Sequence, residues 1–127
     1  MAQSSTRREH RTNRRALRAT LRRRTAETRA TQRAVRAVAT GTPQPARTQL
    51  VAAGLDDATA KRFAGAFSRG LVADDVRETT IKLKGRVRKA VAVKLYAART
   101  FAARLATYRP KDVVVAARFE ALAGVAV

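Results

Sequence analysis

The stretch Thr79–Tyr96, TTIKLKGRVRKAVAVKLY, decides how the second half of the chain folds. Ile81, Leu83, Val87, Val91, Val93 and Leu95 occupy odd positions, while Lys82, Lys84, Arg86, Arg88 and Lys94 occupy even ones. Alternation with period two marks a strand with one apolar and one polar face. A helical reading competes from Val87 onward, because Val87, Val91, Leu95, Ala98, Phe101, Leu105 and Tyr108 also follow a three-and-four spacing. The first half arbitrates: Thr79, Thr80 and Ile81 favour strand, Gly85 interrupts a helix and permits a turn around residues 85–88, and Val91-Ala92-Val93 suits a pleated surface. A hairpin is therefore expected over about residues 79–96, one face closing a small core and the other presenting a cationic row.

Working outward, a helix is expected over Arg99–Tyr108, using Phe101 and Leu105 and ending before Pro110. Asp112 is placed to cap a last helix that buries Val115, Phe119 and Leu122. Upstream, Arg47–Leu71 (RTQLVAAGLDDATAKRFAGAFSRGL) holds two amphipathic segments. Thr48 can cap the first, which ends at Gly54. Asp56 or Asp57 can cap the second, which carries Ala60, Phe63, Ala64, Phe67 and Leu71 on one face and has Gly70 at its C-terminus. A helix-turn-helix outline followed by a basic hairpin has the order of a winged helix. The fold expected is α+β, mostly helical: an Arg-rich N-terminal arm or long helix over residues 1–40, a Gly/Pro linker over 41–46 (GTPQPA), and a small winged-helix-like domain over 47–127.

At 127 residues the chain suits one domain. Aromatics are only 5% and Trp and Cys are absent, so a modest, mostly aliphatic core is expected and no disulfide or Cys-based zinc site can form. There is no apolar run long enough to span a bilayer and no secretory h-region at the N-terminus, so the expected location is cytoplasmic.

Charge is the dominant feature, with 28 Lys plus Arg against 9 Asp plus Glu and a formal net charge of +19. Such a chain repels itself, and a polyanion relieves that repulsion. Residues 1–40 hold 12 Arg and 2 Glu, and Thr79–Lys111 holds ten basic residues and no acid. In Thr6–Thr40, Arg8, Arg11, Arg15, Arg18, Arg22, Arg29, Arg33 and Arg36 share one face if the segment is helical. Leu17, Leu21, Val35 and Val38 are too sparse to anchor that helix, and Thr with closely spaced like charge lowers helicity, so a frayed arm that orders on a polyanion is expected. An Arg-rich, acid-poor start also fits a transit peptide, but bulky apolar residues are scarce, which equally opposes membrane-surface binding.

The expected partner is therefore nucleic acid, DNA ahead of RNA, held mainly through phosphates. The candidate contacts are Arg8, Arg11, Arg15, Arg18, Arg22, Arg29 and Arg33 in the arm, Lys61, Arg62 and Arg69 on the second helix, and Lys82, Lys84, Arg86, Arg88, Lys89 and Lys94 on the hairpin. Against sequence readout by the second helix stand Asp56 and Asp57, at the end that would approach phosphate. A basic RNA- or ribosome-associated protein is one alternative. A scaffold or homodimer pairing through Leu17, Leu21, Val35 and Val38 is another. No cofactor, metal, small-molecule substrate or catalysis is expected: the single His, His10, lies in the arm, the acid pairs Asp56-Asp57 and Asp74-Asp75 suit caps and loops, and no phosphate-loop motif occurs.

The runs RFAGAFSRG (Arg62–Gly70) and VKLYAARTFAARLATYRPKD (Val93–Asp112), about a quarter of the chain, resemble small basic accessory proteins of actinobacterial conjugative or integrative elements and phages. The resemblance implies a setting near DNA on a mobile element and assigns no residue a role.

Overall fold

The residues around Gly85 form the hairpin that the period-two pattern calls for. In the computed structural model, which describes residues 2–125, the first strand is β1 (Asp75–Lys82) and the second β2 (Arg88–Leu95). They pair antiparallel with Thr79 opposite Val91 and Lys82 opposite Arg88. The outermost residues of the expected arm (residue 1) and domain (residues 126 and 127) lie outside the described residues. The turn runs from Leu83 to Val87, starting earlier than expected: the Leu83 amide donates to the Val87 carbonyl at 2.9 Å, and Gly85 at the apex takes φ 84°, which a side chain would strain. β1 also starts four residues before Thr79, because Asp75–Glu78 pairs through its backbone without an apolar alternation to announce it.

The expectation that the odd-numbered face closes the core is corrected. Ile81, Leu83 and Val87 are 43, 43 and 60% exposed, every residue of β1 is exposed, and only Leu95 of β2 is buried, with Val91 and Val93 half-buried. An eight-residue strand is about 27 Å long, more than so small a helical body covers. The hairpin is seated at its open end and projects.

Among the described residues the remaining elements are helices: α1 (Ala2–Ala39), α2 (Ala46–Ala53), α3 (Asp57–Ser68), α4 (Ala98–Thr107) and α5 (Val113–Val125), giving an α+β fold dominated by helix. Their sequence punctuation explains them. Asp56 accepts from the Thr59 amide at 3.1 Å to start α3, Asp112 accepts from the amides of Val114 and Val115 to start α5, and Gly54 closes α2 at φ 124°. Thr48 does not cap α2. That helix begins at Ala46 behind Pro45, whose ring fixes φ near the −60° observed, so Thr48 already lies inside the first turn.

The core lies among α2–α5 and the last turns of α1. Phe67, Phe119, Leu50 and Leu105 are fully buried, with Ala34, Val51, Leu55, Ala60, Tyr96 and Val115 around them. Its centre is aromatic rather than mostly aliphatic: Phe67 packs against Phe101 (5.4 Å between centroids), Tyr108 (5.4 Å) and Phe119 (6.1 Å), and Phe63 and Tyr108 meet Phe119 edge-on. Aromatics are few, but each buries some 150–250 Å² and the fold concentrates them in one place.

Polar groups, one of them buried, seat the hairpin on this body. Gln49, 4% exposed, donates to the carbonyls of Gln44 (2.9 Å) and Tyr96 (2.7 Å), while Gln44 and Tyr96 exchange both backbone bonds of an isolated bridge. Asp74 accepts from the Ala97 amide and the Thr100 hydroxyl, capping α4 from across the hairpin. Arg104 Nε donates to the Phe67 carbonyl at 2.8 Å and ties α4 to the end of α3.

Candidate nucleic-acid interface

α1 is one helix of 38 residues, about 57 Å long at 1.5 Å per residue. The segment expected to fray is helical throughout, and the hydroxyls of Thr12, Thr20, Thr25, Thr28 and Thr31 each donate to the carbonyl four residues back, a contact that satisfies the hydroxyl without strengthening the helix. Its two ends do different things. Ala34 is buried and Ala30, Ala37 and Val38 are half-buried where the last turns pack on α2, whereas every residue of Thr6–Arg29 is solvent-exposed. At about 100° per residue, ten of the twelve Arg of α1 fall within an arc of roughly 120°, only Arg23 and Arg24 lying outside it. Arg8, Arg11, Arg15, Arg18, Arg22, Arg29 and Arg33 are in this stripe as expected. Arg7 and Arg14 complete one edge, and the same angular projection identifies them.

On the hairpin the five even-numbered cations do not form one row. Lys82, Arg88 and Lys94 share a ribbon face, with Lys82 directly opposite Arg88, but Lys84 and Arg86 lie in the turn and Lys89 is on the other face opposite Ile81. Alternation stops at a turn, so odd-even counting cannot run through it. On α3, Lys61 and Arg62 are exposed and diverge. Arg62 places its guanidinium 5.0 Å from the Phe63 ring centre, while Lys61 lies one turn from Asp57. Arg69 is the exposed C-cap of α3.

The acids are otherwise engaged. Asp57 takes a two-pronged pair from Arg47 (Nε to Oδ1 2.9 Å, Nη2 to Oδ2 2.7 Å), and that pair, against a smaller opposing effect of burial, holds its carboxyl below the usual range with help from Lys61 and Arg33. Burial pulls Asp56 upward, but bonds from Thr59 and from Arg118, 2.8 Å away, outweigh it and leave the carboxyl lowered. Asp74 is lowered by its bonds from Ala97 and Thr100. These two ion pairs, Arg47–Asp57 and Arg118–Asp56, are the only ones among the described residues, so nearly all of the positive charge faces solvent without an acidic partner. Among the described residues no three His, Asp or Glu gather as metal ligands, and no helix is long and apolar enough to cross a membrane.

One grouping was invisible in the sequence. A cleft of about 480 Å³ between the end of α1, the start of α2 and the base of β1 is lined by Arg33, Arg47 and Arg77, with Asp57 its only acid. Arg47 and Arg77 carry no spacing signal, because three separate elements must fold together before they meet.

No family model, curated protein or solved structure matches the chain. The reading of function rests on this geometry.

Proposed function

We propose that the protein is a non-enzymatic binder of duplex nucleic acid, DNA ahead of RNA, that grips phosphates through α1 and the β1–β2 hairpin, in the mobile-element or phage setting its sequence resemblance implies. The observation that carries this is the Arg stripe on a helix whose first two-thirds serve no core. A helix some 10–12 Å across fits a major groove about 12 Å wide, and at about 36 Å the exposed Thr6–Arg29 is long enough to cross the groove and reach the backbone on either side. The edges of the stripe then face the two phosphate walls. The RNA major groove is deep and narrow and does not admit such a helix. All four Phe and both Tyr pack in or against the core, which leaves the cationic surfaces without the stacking platforms that single strands use. In this proposal the hairpin acts as the wing of a winged-helix-like arrangement behind α2 and α3, its cations reaching a neighbouring stretch of backbone.

The test is a titration of a 30-base-pair duplex between 50 and 200 mM salt. If roughly 6–10 phosphates are contacted, affinity should fall by about 10³–10⁵ across that range. Replacing Arg11, Arg18 and Arg22 together with Gln should lower the slope of log K against log salt by about 3 while far-ultraviolet circular dichroism stays helical. Salt-insensitive binding, or equal affinity for duplex and single strand, would overturn the proposal.

A further inference from the structure

We infer that the cleft bounded by Arg33, Arg47 and Arg77 is a phosphate seat that holds one phosphodiester of the bound duplex at the point where the backbone passes from α1 to the hairpin. The inference rests on the functional reading above and adds a site to it. Arg33 is the stripe's contribution, one residue from the buried Ala34 and therefore on the part of α1 fixed to the body. Arg77 stands on β1 opposite Val93, near the seated end of the ribbon rather than its projecting tip. Arg47 comes from the first turn of α2, whose N-cap Pro45 offers no side chain to the turn's amides. Lys61 on α3 is close enough to Asp57 to influence it. Three elements thus bring cations to one concave place that holds a single carboxylate. Three guanidinium forks around a cleft of that size suit a tetrahedral dianion or a phosphodiester, which accept paired N–H donors.

The arrangement also assigns Asp57 a second role. Its bidentate pair with Arg47 holds that guanidinium in place at the cleft wall. A phosphate entering the cleft competes with Asp57 for the same donors, so the carboxylate acts as a built-in rival that weakens binding and keeps Arg47 in position when the cleft is empty. Because Arg33 and Arg77 belong to the two projecting elements, a shared phosphate couples the grip of the arm to that of the hairpin.

The experiment uses the full chain, a 30-base-pair duplex and, separately, inorganic pyrophosphate. At 100 mM salt, Arg33→Ser and Arg77→Ser should each lower duplex affinity by about three- to tenfold, and the two together should reduce the salt slope by about 1, the share of one phosphate. The double variant should lose less than the product of the two, because both act on one phosphate. Asp57→Asn should raise affinity, and Lys111→Ser, a matched charge loss in the α4–α5 connection, should change it by less than about twofold. Pyrophosphate at constant ionic strength should raise the melting temperature of wild type and Lys111→Ser but not of Arg77→Ser. Unchanged duplex affinity in Arg33→Ser and Arg77→Ser, or strictly multiplicative losses, would overturn the seat while leaving the duplex-binding function intact. A wild-type protein that bound no duplex would remove that function instead. Pyrophosphate alone would then decide the cleft, a shift lost in Arg77→Ser upholding a site for free phosphate and no shift removing it.

Discussion

Lys82→Glu separates the structural and functional uses of the hairpin because it should move them in opposite directions. Lys82 faces Arg88 directly, and the neighbouring Leu83–Val87 pair carries a backbone hydrogen bond, so the Lys82–Arg88 pair is of the non-bonded kind, with Cα atoms about 4.5 Å apart and side chains close. Two like charges roughly 6 Å apart in water cost about 0.7 kcal/mol, and reversing one turns that into a similar gain before salt screening. Both residues are exposed, so the net stabilisation of the ribbon should be no more than about 1 kcal/mol. For the duplex the same change removes a cation and adds an anion at the ribbon's far end. Affinity at 100 mM salt should fall by about tenfold or more, with the salt slope lower by at least about 1. Amide exchange along Thr79–Val91 reads the ribbon, and a salt-series titration reads binding. Slower exchange with weaker binding is the expected pair of results. Unchanged binding would remove the hairpin from the interface, and faster exchange with weaker binding would trace the loss to unfolding and refute the charge argument.

Gln49→Leu removes the side-chain donor to the carbonyls of Gln44 and Tyr96 and should cost about 1–3 kcal/mol in chemical denaturation; a cost near zero would mean the side chain does not seat the hairpin. Ile81→Ala and Val87→Ala should each cost well under 1 kcal/mol because both residues are exposed, whereas half-buried Val93→Ala should cost about 1 kcal/mol, an ordering that thermal melts check. Asp56, Asp57 and Asp74 all have carboxyls lowered by folding, so the stability they contribute is present above the ordinary aspartate range and is lost as pH falls below about 4 through their folded values. An acid titration should therefore show stability flat from about pH 5 to 8 and falling below, with a smaller fall in Asp74→Asn.

What could be read from the sequence is what adjacent residues dictate. Alternation from Ile81 to Leu95 and the break at Gly85 announce the ribbon, and Asp56, Asp112 and Gly54 mark helix ends because a cap acts within three residues of itself. The strand's first half carries no signal of its own, because Asp75–Glu78 is held by pairing with Ala92–Leu95. Alternation tells which side chains share a face but not whether anything covers it, so a core role for the odd-numbered apolar face does not follow from the pattern. Cross-chain roles were beyond reach for the same reason: Asp74 caps a helix that starts more than twenty residues later, and Arg33, Arg47 and Arg77 meet only after α1, α2 and β1 have packed. Within the candidate interface, the exposed cations of α1 and the hairpin were legible and their junction was not.

The two signs of charge divide the labour in this molecule. Asp56, Asp74 and Asp112 cap helices, Asp56 also meets Arg118, and Asp57 holds Arg47, so the aspartates are largely engaged in holding the small body together. If the cations merely kept the protein soluble, acids and bases would be interspersed on its surface, since mixed charge does that at less electrostatic cost. Here ten Arg lie along one stripe of α1, where like charges one turn apart oppose the helix by a few tenths of a kcal/mol per pair, and Lys82 faces Arg88 across a ribbon that their repulsion loosens. The burial of Phe67, Phe119, Leu50 and Leu105 in the helical body offsets neither locally, because Lys82, Arg88 and the stripe from Arg7 to Arg29 lie beyond the reach of that core. Closely spaced phosphates would turn each of these repulsions into an attraction. The places where the fold is locally least favourable are thus the places where a polyanion would stabilise it most, so duplex binding should raise the stability of α1 and the hairpin more than that of the core.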